Sequence, residues 1–255
     1  MRKFIRFLVR NIPRPVLIRF SKIFTWIIIP FYKGNKVECP ICESKFRKFL
    51  PYGNKGAVNR LCPKCLSLER HRLMWLYLQD KTEFFEKKLK VLHIAPEQSF
   101  YKRFRKLKNL DYTTADLVSP IADLHFDIMN IPLEDNLFDV VICNHVLEHV
   151  SDDIAAMKEI LRILKPGAWA ILQVPINKTF EFTYEDSSIT DAKEREKAFG
   201  QYDHVRWHGR DYPTRLESAG FSVKTFAVSD EFEDSVINRF RLDKSEVLLI
   251  NHKAI

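Results

Sequence analysis

From Lys90 onward, short apolar runs alternate with helical patterns, and no other feature constrains the fold of this chain as much. The runs lie at 90–95, 111–116, 138–144 and 168–174, with two further strands expected at Phe221–Ala227 and Glu246–Asn251 across an acidic stretch. The clearest helix is "DDIAAMKEILRILKPG", whose Ile154, Met157, Ile160, Leu161 and Leu164 share one face. Asp152 and Asp153 favour its N-terminus, and Pro166-Gly167 is expected to stop it. Strands separated by helices imply a parallel sheet covered on both faces, with ligands at the carboxyl ends of the strands.

Ahead of this body, "CPIC" and "CPKC" place Cys39, Cys42, Cys62 and Cys65 in a C-x2-C-x19-C-x2-C pattern. That spacing suits one tetrahedral ion, and four protein ligands make it structural. Structural zinc is the expectation; a single iron or two redox dithiols are the competing readings. Cys143, inside "FDVVIC", reads as a buried core thiol.

Charge separates a third segment. Residues 1–37 carry nine Lys or Arg and no acidic residue, whereas the remainder is nearly balanced, so the net +8 belongs to the arm. Arg2, Arg6, Arg10 and Arg14 recur every four residues around Phe4, Ile5, Leu8 and Ile12, before Pro13 and Pro15 interrupt. The longest uncharged run, Ile23–Tyr32, has ten residues, about half a membrane span. A basic amphipathic arm of this kind suits an anionic membrane surface; packing on the body and nucleic-acid binding are the alternatives. The expected organisation is arm 1–35, ribbon 36–66, linking helix 67–88 and main domain 89–255, with 176–212 an acceptor and lid insertion.

The block "DIMNIPLEDNLFDVVICNHVLEHVSDDIAAMKEILRILKPGAWAILQVP" resembles the middle of class I S-adenosylmethionine-dependent methyltransferases of the type 11-like kind. The later "FGQYDHVRWHGRDYPTRLESAGF" is similar to a bacterial subgroup that carries an N-terminal four-cysteine ribbon. The resemblance covers roughly residues 88–227. It implies a Rossmann-like, mostly parallel seven-stranded sheet with its final strand antiparallel, preceded by the zinc ribbon and the arm. It also implies S-adenosylmethionine across the strand tips: Asp116 on the ribose, Asp127 at the adenine edge beside Ile128, Asn144 and His145 at the methionine half.

The first loop departs from that family. Where an acidic residue, an apolar one and G-x-G-x-G are expected, the chain has His93, Ile94, Ala95, Pro96, Glu97, Gln98 and Ser99. Ala95 is the smallest substitute for the first glycine. Glu97 either accepts from the cofactor ammonium or simply suits the first turn of the next helix. His149 and His204 are the candidate bases, with His208 nearby; Tyr184, Glu185, Asp203 and Arg206 are candidate acceptor contacts. The H-x-x-E-H of His145, Glu148 and His149 also spells a zinc-protease signature, which requires one continuous helix. The sequence therefore reads as a cytoplasmic methyltransferase, with the arm peripheral at the inner face of the membrane. Its acceptor is a small molecule, a glycan or lipid-linked, ahead of nucleic acid. The alternative is a non-catalytic zinc-ribbon scaffold on a methyltransferase-like body.

Overall fold

The computed structural model describes residues 25–53 and 57–255. Most of the basic arm therefore lies outside the described residues. Its last part, 25–32, is helical. The chain divides into two compact units: one ends at Leu76 and regains Phe232–Lys244, and the other holds Tyr77–Glu231 and Ser245–Ile255.

In the first unit, β1 (Lys33–Cys39) pairs antiparallel with β2 (Ser44–Phe46), and β3 (Leu50–Tyr52) with β4 (Ala57–Leu61). A helix, Glu69–Asp80, starts here. The acidic stretch between the last two strands contributes a second helix, Asp234–Phe240, whose Arg239 donates to Glu38 on β1 at 2.7 Å. Arg72 is fully buried, and among the described residues its hydrogen bonds go to backbone carbonyls, with Glu69 acting on it only through its charge. Its guanidinium donates to the carbonyls of Phe240 at 2.6 Å, Arg60 at 3.0 Å, Ser67 at 3.0 Å and Arg241 at 2.8 Å, and lies over the Phe49 ring. A buried cation so placed satisfies its hydrogen bonds while leaving its charge to be balanced by something nearby.

The second unit is built on seven strands: β5 (Leu89–Ile94), β6 (Leu110–Asp116), β7 (Leu124–His125), β8 (Phe138–Cys143), β9 (Leu164–Ile171), β12 (Ser222–Ala227) and β13 (Val247–His252). A separate short pair, β10 (Tyr184–Glu185) and β11 (Arg206–Trp207), lies in the long connection after β9. The sheet order is β12-β13-β9-β8-β5-β6-β7, with β13 antiparallel to both neighbours and the other pairs parallel. The reversal around β5 places the tips of β5, β6 and β8 beside a switch in winding direction. β5 and β8 read as near-continuous apolar runs because both of their faces are covered. Leu92 and Ile94 join Val141, Cys143, Leu172 and Met157 in one core cluster. Burial pushes the Cys143 thiol above its ordinary titration range, in keeping with a core role.

The helix Asp153–Ile163 begins where expected, with Asp152 accepting from the Ala155 amide at 2.9 Å. It ends before Pro166-Gly167 is reached, because Leu164 is already extended. A proline disfavours helical backbone in the residue before it, so the stop propagates backward.

Candidate functional site

The cysteine cluster is assembled by two matching turns. In each, the amide of the residue after the second cysteine bonds back to the carbonyl of the first: Glu43 to Cys39 at 2.7 Å and Leu66 to Cys62 at 3.0 Å. Glu43 and Leu66 both adopt left-handed backbone, φ 54° and 58°, a cost accepted twice by non-glycine residues. All four thiols are free, and Cys39 Sγ lies 3.5 Å from Cys65 Sγ and Cys42 Sγ 3.7 Å from Cys62 Sγ. A tetrahedral ion with about 2.3 Å bonds to sulfur requires sulfur edges of about 3.8 Å. Hydrogen bonding with Cys39 first, then with the other thiols, holds Cys42 far below the ordinary thiol range and pushes Cys62 and Cys65 far above it. With all four ionised, sulfurs at these distances would need a cation between them. Arg72, in the same unit, supplies one further positive charge.

At the strand tips, Ala95 follows β5 with φ 49°, the left-handed turn that a glycine would make without strain. Glu97 then precedes the helix Gln98–Phe104 but makes no side-chain cap. Its carboxylate turns inward instead. Oε2 accepts from His93 Nε2 at 2.6 Å, and Oε1 from Asn144 Nδ2 at 2.9 Å. A carboxylate only accepts, so His93 carries its proton on Nε2 and Nδ1 receives the Tyr112 hydroxyl at 2.8 Å. Burial first, then the Glu97 charge, pushes the Tyr112 phenol well above its ordinary range. Asn144 Oδ1 also accepts from the Gln173 amide at 3.3 Å, tying the tips of β5, β8 and β9 together.

Asp116 closes β6, and its Oδ1 accepts from the amides of Val118 at 2.9 Å and Ser119 at 2.8 Å. The next residues, Leu117 and Val118, are apolar and exposed. The sequence reading passed over them, although an apolar pair directly after an anchoring acid is the available signal. Asp127 Oδ1 accepts from the Met129 amide at 2.9 Å, and Ile128 is buried in the core. His145, with φ 56°, bonds through its amide to the Gln173 carbonyl at 2.7 Å.

Residues 144–152 form turns between β8 and the next helix, so His145, Glu148 and His149 share no helix and the protease signature lacks its scaffold. His149, a candidate base, sits in this loop. Its Nδ1 faces the Asp203 carbonyl at 3.1 Å, and its ring meets that of His204 edge-on at 4.8 Å. His204 Nδ1 faces the Phe199 carbonyl at 3.1 Å, and burial, as the largest influence, lowers its pKa. Glu148 is buried; burial alone would raise its pKa, but the hydrogen bond and charge of His145 reverse the sign and hold it down.

The connection from 176 to 212 also contains the helix Ala192–Phe199, capped by Asp191 and ended by Gly200 at φ 84°. A side chain at Gly200 would meet the Trp207 ring at 2.5 Å. Arg206 is 3% exposed and donates to the carbonyls of Leu147, Val150 and Ser151 and to Glu185 at 2.9 Å, so its donors fasten this connection to the loop after β8. Tyr184 and Glu185 are exposed, with Tyr184 against Phe199. His208 donates to buried Asp153 at 3.1 Å, beside Arg215, and serves the packing there. The structure thus brings His145, Glu148, His149, His204 and Asp203 together, and separately joins Glu97, in the loop of Ala95, to Asn144.

The sheet order and the antiparallel seventh strand are those of a Rossmann-like, class I methyltransferase-like fold. Residues 78–172 match the type 11 methyltransferase family, described as "Methyltransferase domain". Demethylmenaquinone methyltransferase of Staphylococcus haemolyticus is 31% identical over 116 residues, 39% of this chain and 47% of that protein. The enzyme of that name from a Geobacillus species is 28% identical over 103 residues, covering 38% and 44%. The chain thus matches less than half the length of these relatives. The crystal structure of the [4+2]-cyclase SpnF shares the fold at a TM-score of 0.52 and 15% identity, over 82% of this chain and 88% of that one. Among the described residues no helix is long and apolar enough to cross a membrane.

Proposed function

We propose that the domain transfers a methyl group from S-adenosylmethionine to a small, lipid-linked acceptor. The observation that carries this reading is Ala95: the chain keeps the left-handed turn of a cofactor loop, at φ 49°, after losing every glycine in it. Strained backbone is commonly kept where a ligand must be met, and here it lies at the tip of β5 beside the switch in winding direction. S-adenosylmethionine supplies an electrophilic methyl on a sulfonium. The chain's part is alignment: Asp116 holds the ribose, Asp127 meets the adenine edge, and Leu117 and Val118 offer the apolar surface a purine needs. Asn144 and His145 lie toward the methionine half. Any proton lost by the acceptor falls to His149 or His204, whose Nδ1 atoms face backbone carbonyls and whose Nε2 atoms keep a lone pair.

One observation favours the scaffold reading. Both Glu97 oxygens already hold partners, so the ammonium would have to share an oxygen or displace Asn144. Calorimetry separates the two readings. Wild-type protein should bind S-adenosylmethionine, and Asp116→Ala should weaken binding by about 1–3 kcal/mol, the cost of a lost charged hydrogen-bond partner. No heat at millimolar cofactor would establish the scaffold instead.

The cysteine cluster is assigned one structural zinc, supported by its sulfur spacing and by buried Arg72. The lipid-linked acceptor draws support from the matched relatives, named for demethylmenaquinone, and from the arm. Within the helical residues 25–32, Trp26, Ile27 and Phe31 are 79%, 54% and 66% exposed. Aromatic residues beside basic ones suit the interface of an anionic bilayer. A Trp26→Ser, Phe31→Ser double variant should lose binding to anionic vesicles in low salt; unchanged binding would remove the membrane from this reading.

A further inference from the structure

Outside the cysteine cluster, one group of donors converges without an evident structural purpose. One ligand atom from each of Glu148, His149 and His204 lies within 4.8 Å of the others. The hydrogen bonds around them show which atoms keep a lone pair for an ion. A backbone carbonyl only accepts, so His204 keeps its proton on Nδ1, toward Phe199, and His149 on Nδ1, toward Asp203. Each imidazole is left with a lone pair on Nε2. His145 Nδ1 occupies Glu148 Oε1 at 3.3 Å, which leaves Oε2.

Two of these atoms are in trouble as they stand. Glu148 and His204 are each 2% exposed, and Glu148 Oε2 and His204 Nε2 are buried with no hydrogen-bond partner. An unpaired buried acceptor costs about 1–3 kcal/mol, and two beside each other repel as well. Placing acceptors against acceptors makes sense when a cation joins them. The surrounding bonds have the matching form: metal-ligating histidines almost always donate their second ring N–H to a carbonyl or carboxylate. Here both do, and the Asp203 carboxylate stands 3.6 Å behind His149 as well.

We infer that Glu148, His149 and His204 form a second metal site, for a divalent transition ion of the zinc class. Two imidazoles and a carboxylate suit such an ion better than magnesium or calcium, which prefer oxygen throughout. The donors must close to about 3.4 Å for bonds of about 2.1 Å. His149, whose side chain is one-third exposed, has the freedom to do so. Three protein ligands leave at least one coordination position open, the arrangement of a reactive site rather than a structural one. The open position takes an oxygen of the acceptor or water. A histidine that binds an ion through Nε2 holds no proton there, so this site replaces the base role of both imidazoles. The site stands independently of cofactor binding.

The test is the metal content of the full-length protein after equilibration in metal-buffered zinc. The expected result is about two zinc per chain, falling to about one in His149→Ala and in His204→Gln. His204 is buried and its replacement can disturb folding; His149→Ala, at a partly exposed position, carries the test if so. Cobalt substitution adds a second readout. The cysteine site gives intense thiolate charge-transfer absorption with ligand-field bands of its own, and His149→Ala should leave these while removing only the weaker ligand-field absorption that the second ion adds. One zinc per chain in the wild type, or two retained in His149→Ala, would overturn the inference.

Discussion

Replacing Asp153 by Asn should unsettle the second unit more than any neighbouring change, although it alters one atom and no volume. Asp153 is 1% exposed at the start of its helix. Arg215 donates to its two oxygens at 2.6 and 3.0 Å, His208 at 3.1 Å, and Arg206 lies 3.9 Å away. At an effective dielectric near 20, a charge pair about 4 Å apart is worth about 4 kcal/mol before desolvation is counted. Removing this buried anion leaves Arg206 and half-buried Arg215 with the exposed Glu185 carboxylate as their remaining ion-pair partner, facing an amide that also points N–H groups at them. Breaking such a pair from one side costs about 3–5 kcal/mol. The neighbouring Asp152→Ala is the internal control, because it removes one N-cap bond and should cost about 1 kcal/mol. Urea unfolding monitored by circular dichroism compares the two. The pH dependence adds a sign. Burial opposes ionisation of Asp153, but His208, Arg215 and Arg206 together hold its pKa far below the carboxylate range. A depressed pKa contributes stability above the unfolded value, about 3.9, and loses it as pH falls through the folded one. The gap between wild type and Asp153→Asn should therefore be full at neutral pH and close in strong acid. Asp153→Asn within 1 kcal/mol of wild type at pH 7, or a gap that widens in acid, would refute this reasoning.

Cys62→Ser should release the structural zinc and destabilise the first unit, read as loss of metal and early proteolysis within residues 33–76; retained zinc would point to fewer than four ligands. Ala95→Gly should stabilise the second unit by about 0.5–1 kcal/mol, since relief of left-handed strain exceeds the added freedom of the unfolded chain. A destabilised Ala95→Gly would mean that the turn is held by contacts of the methyl group rather than endured.

The strands were legible because burial on both faces leaves an unbroken apolar run. The runs at 90–95, 111–116 and 138–144 fall within one residue of β5, β6 and β8. The cysteine cluster was legible because two short spacings fix its geometry locally. What escaped depends on partners distant in sequence. Arg72 reads as a solvent-facing helix residue until Phe240 and Arg241 are seen to accept from it across 168 and 169 positions. Asp153 reads as a helix-dipole residue beside Asp152, yet Asp152 makes the cap and Asp153 makes the ion cluster. Glu148 was visible only as part of a protease signature. The signal that separates the readings is His204, 55 residues beyond His149, which no local pattern joins to it.

The first loop shows how a family feature can be lost in sequence and kept in form. Where the family places an acid at the end of the first strand, this chain has His93, and its Nε2–H reaches forward to Glu97. The Glu97 carboxylate thus binds His93 at the tip of β5 and reaches Asn144 just beyond β8. A side chain that must fold back over its own loop cannot share that space with a flexible glycine run. Pro96 fixes the direction of the turn, and Ala95 accepts the left-handed backbone that results. The fold does not say which reaction this modified tip supports, since the SpnF cyclase shares the same sheet. The side chains at the tip decide it, and among them Glu97 alone touches both strands between which a cofactor would lie.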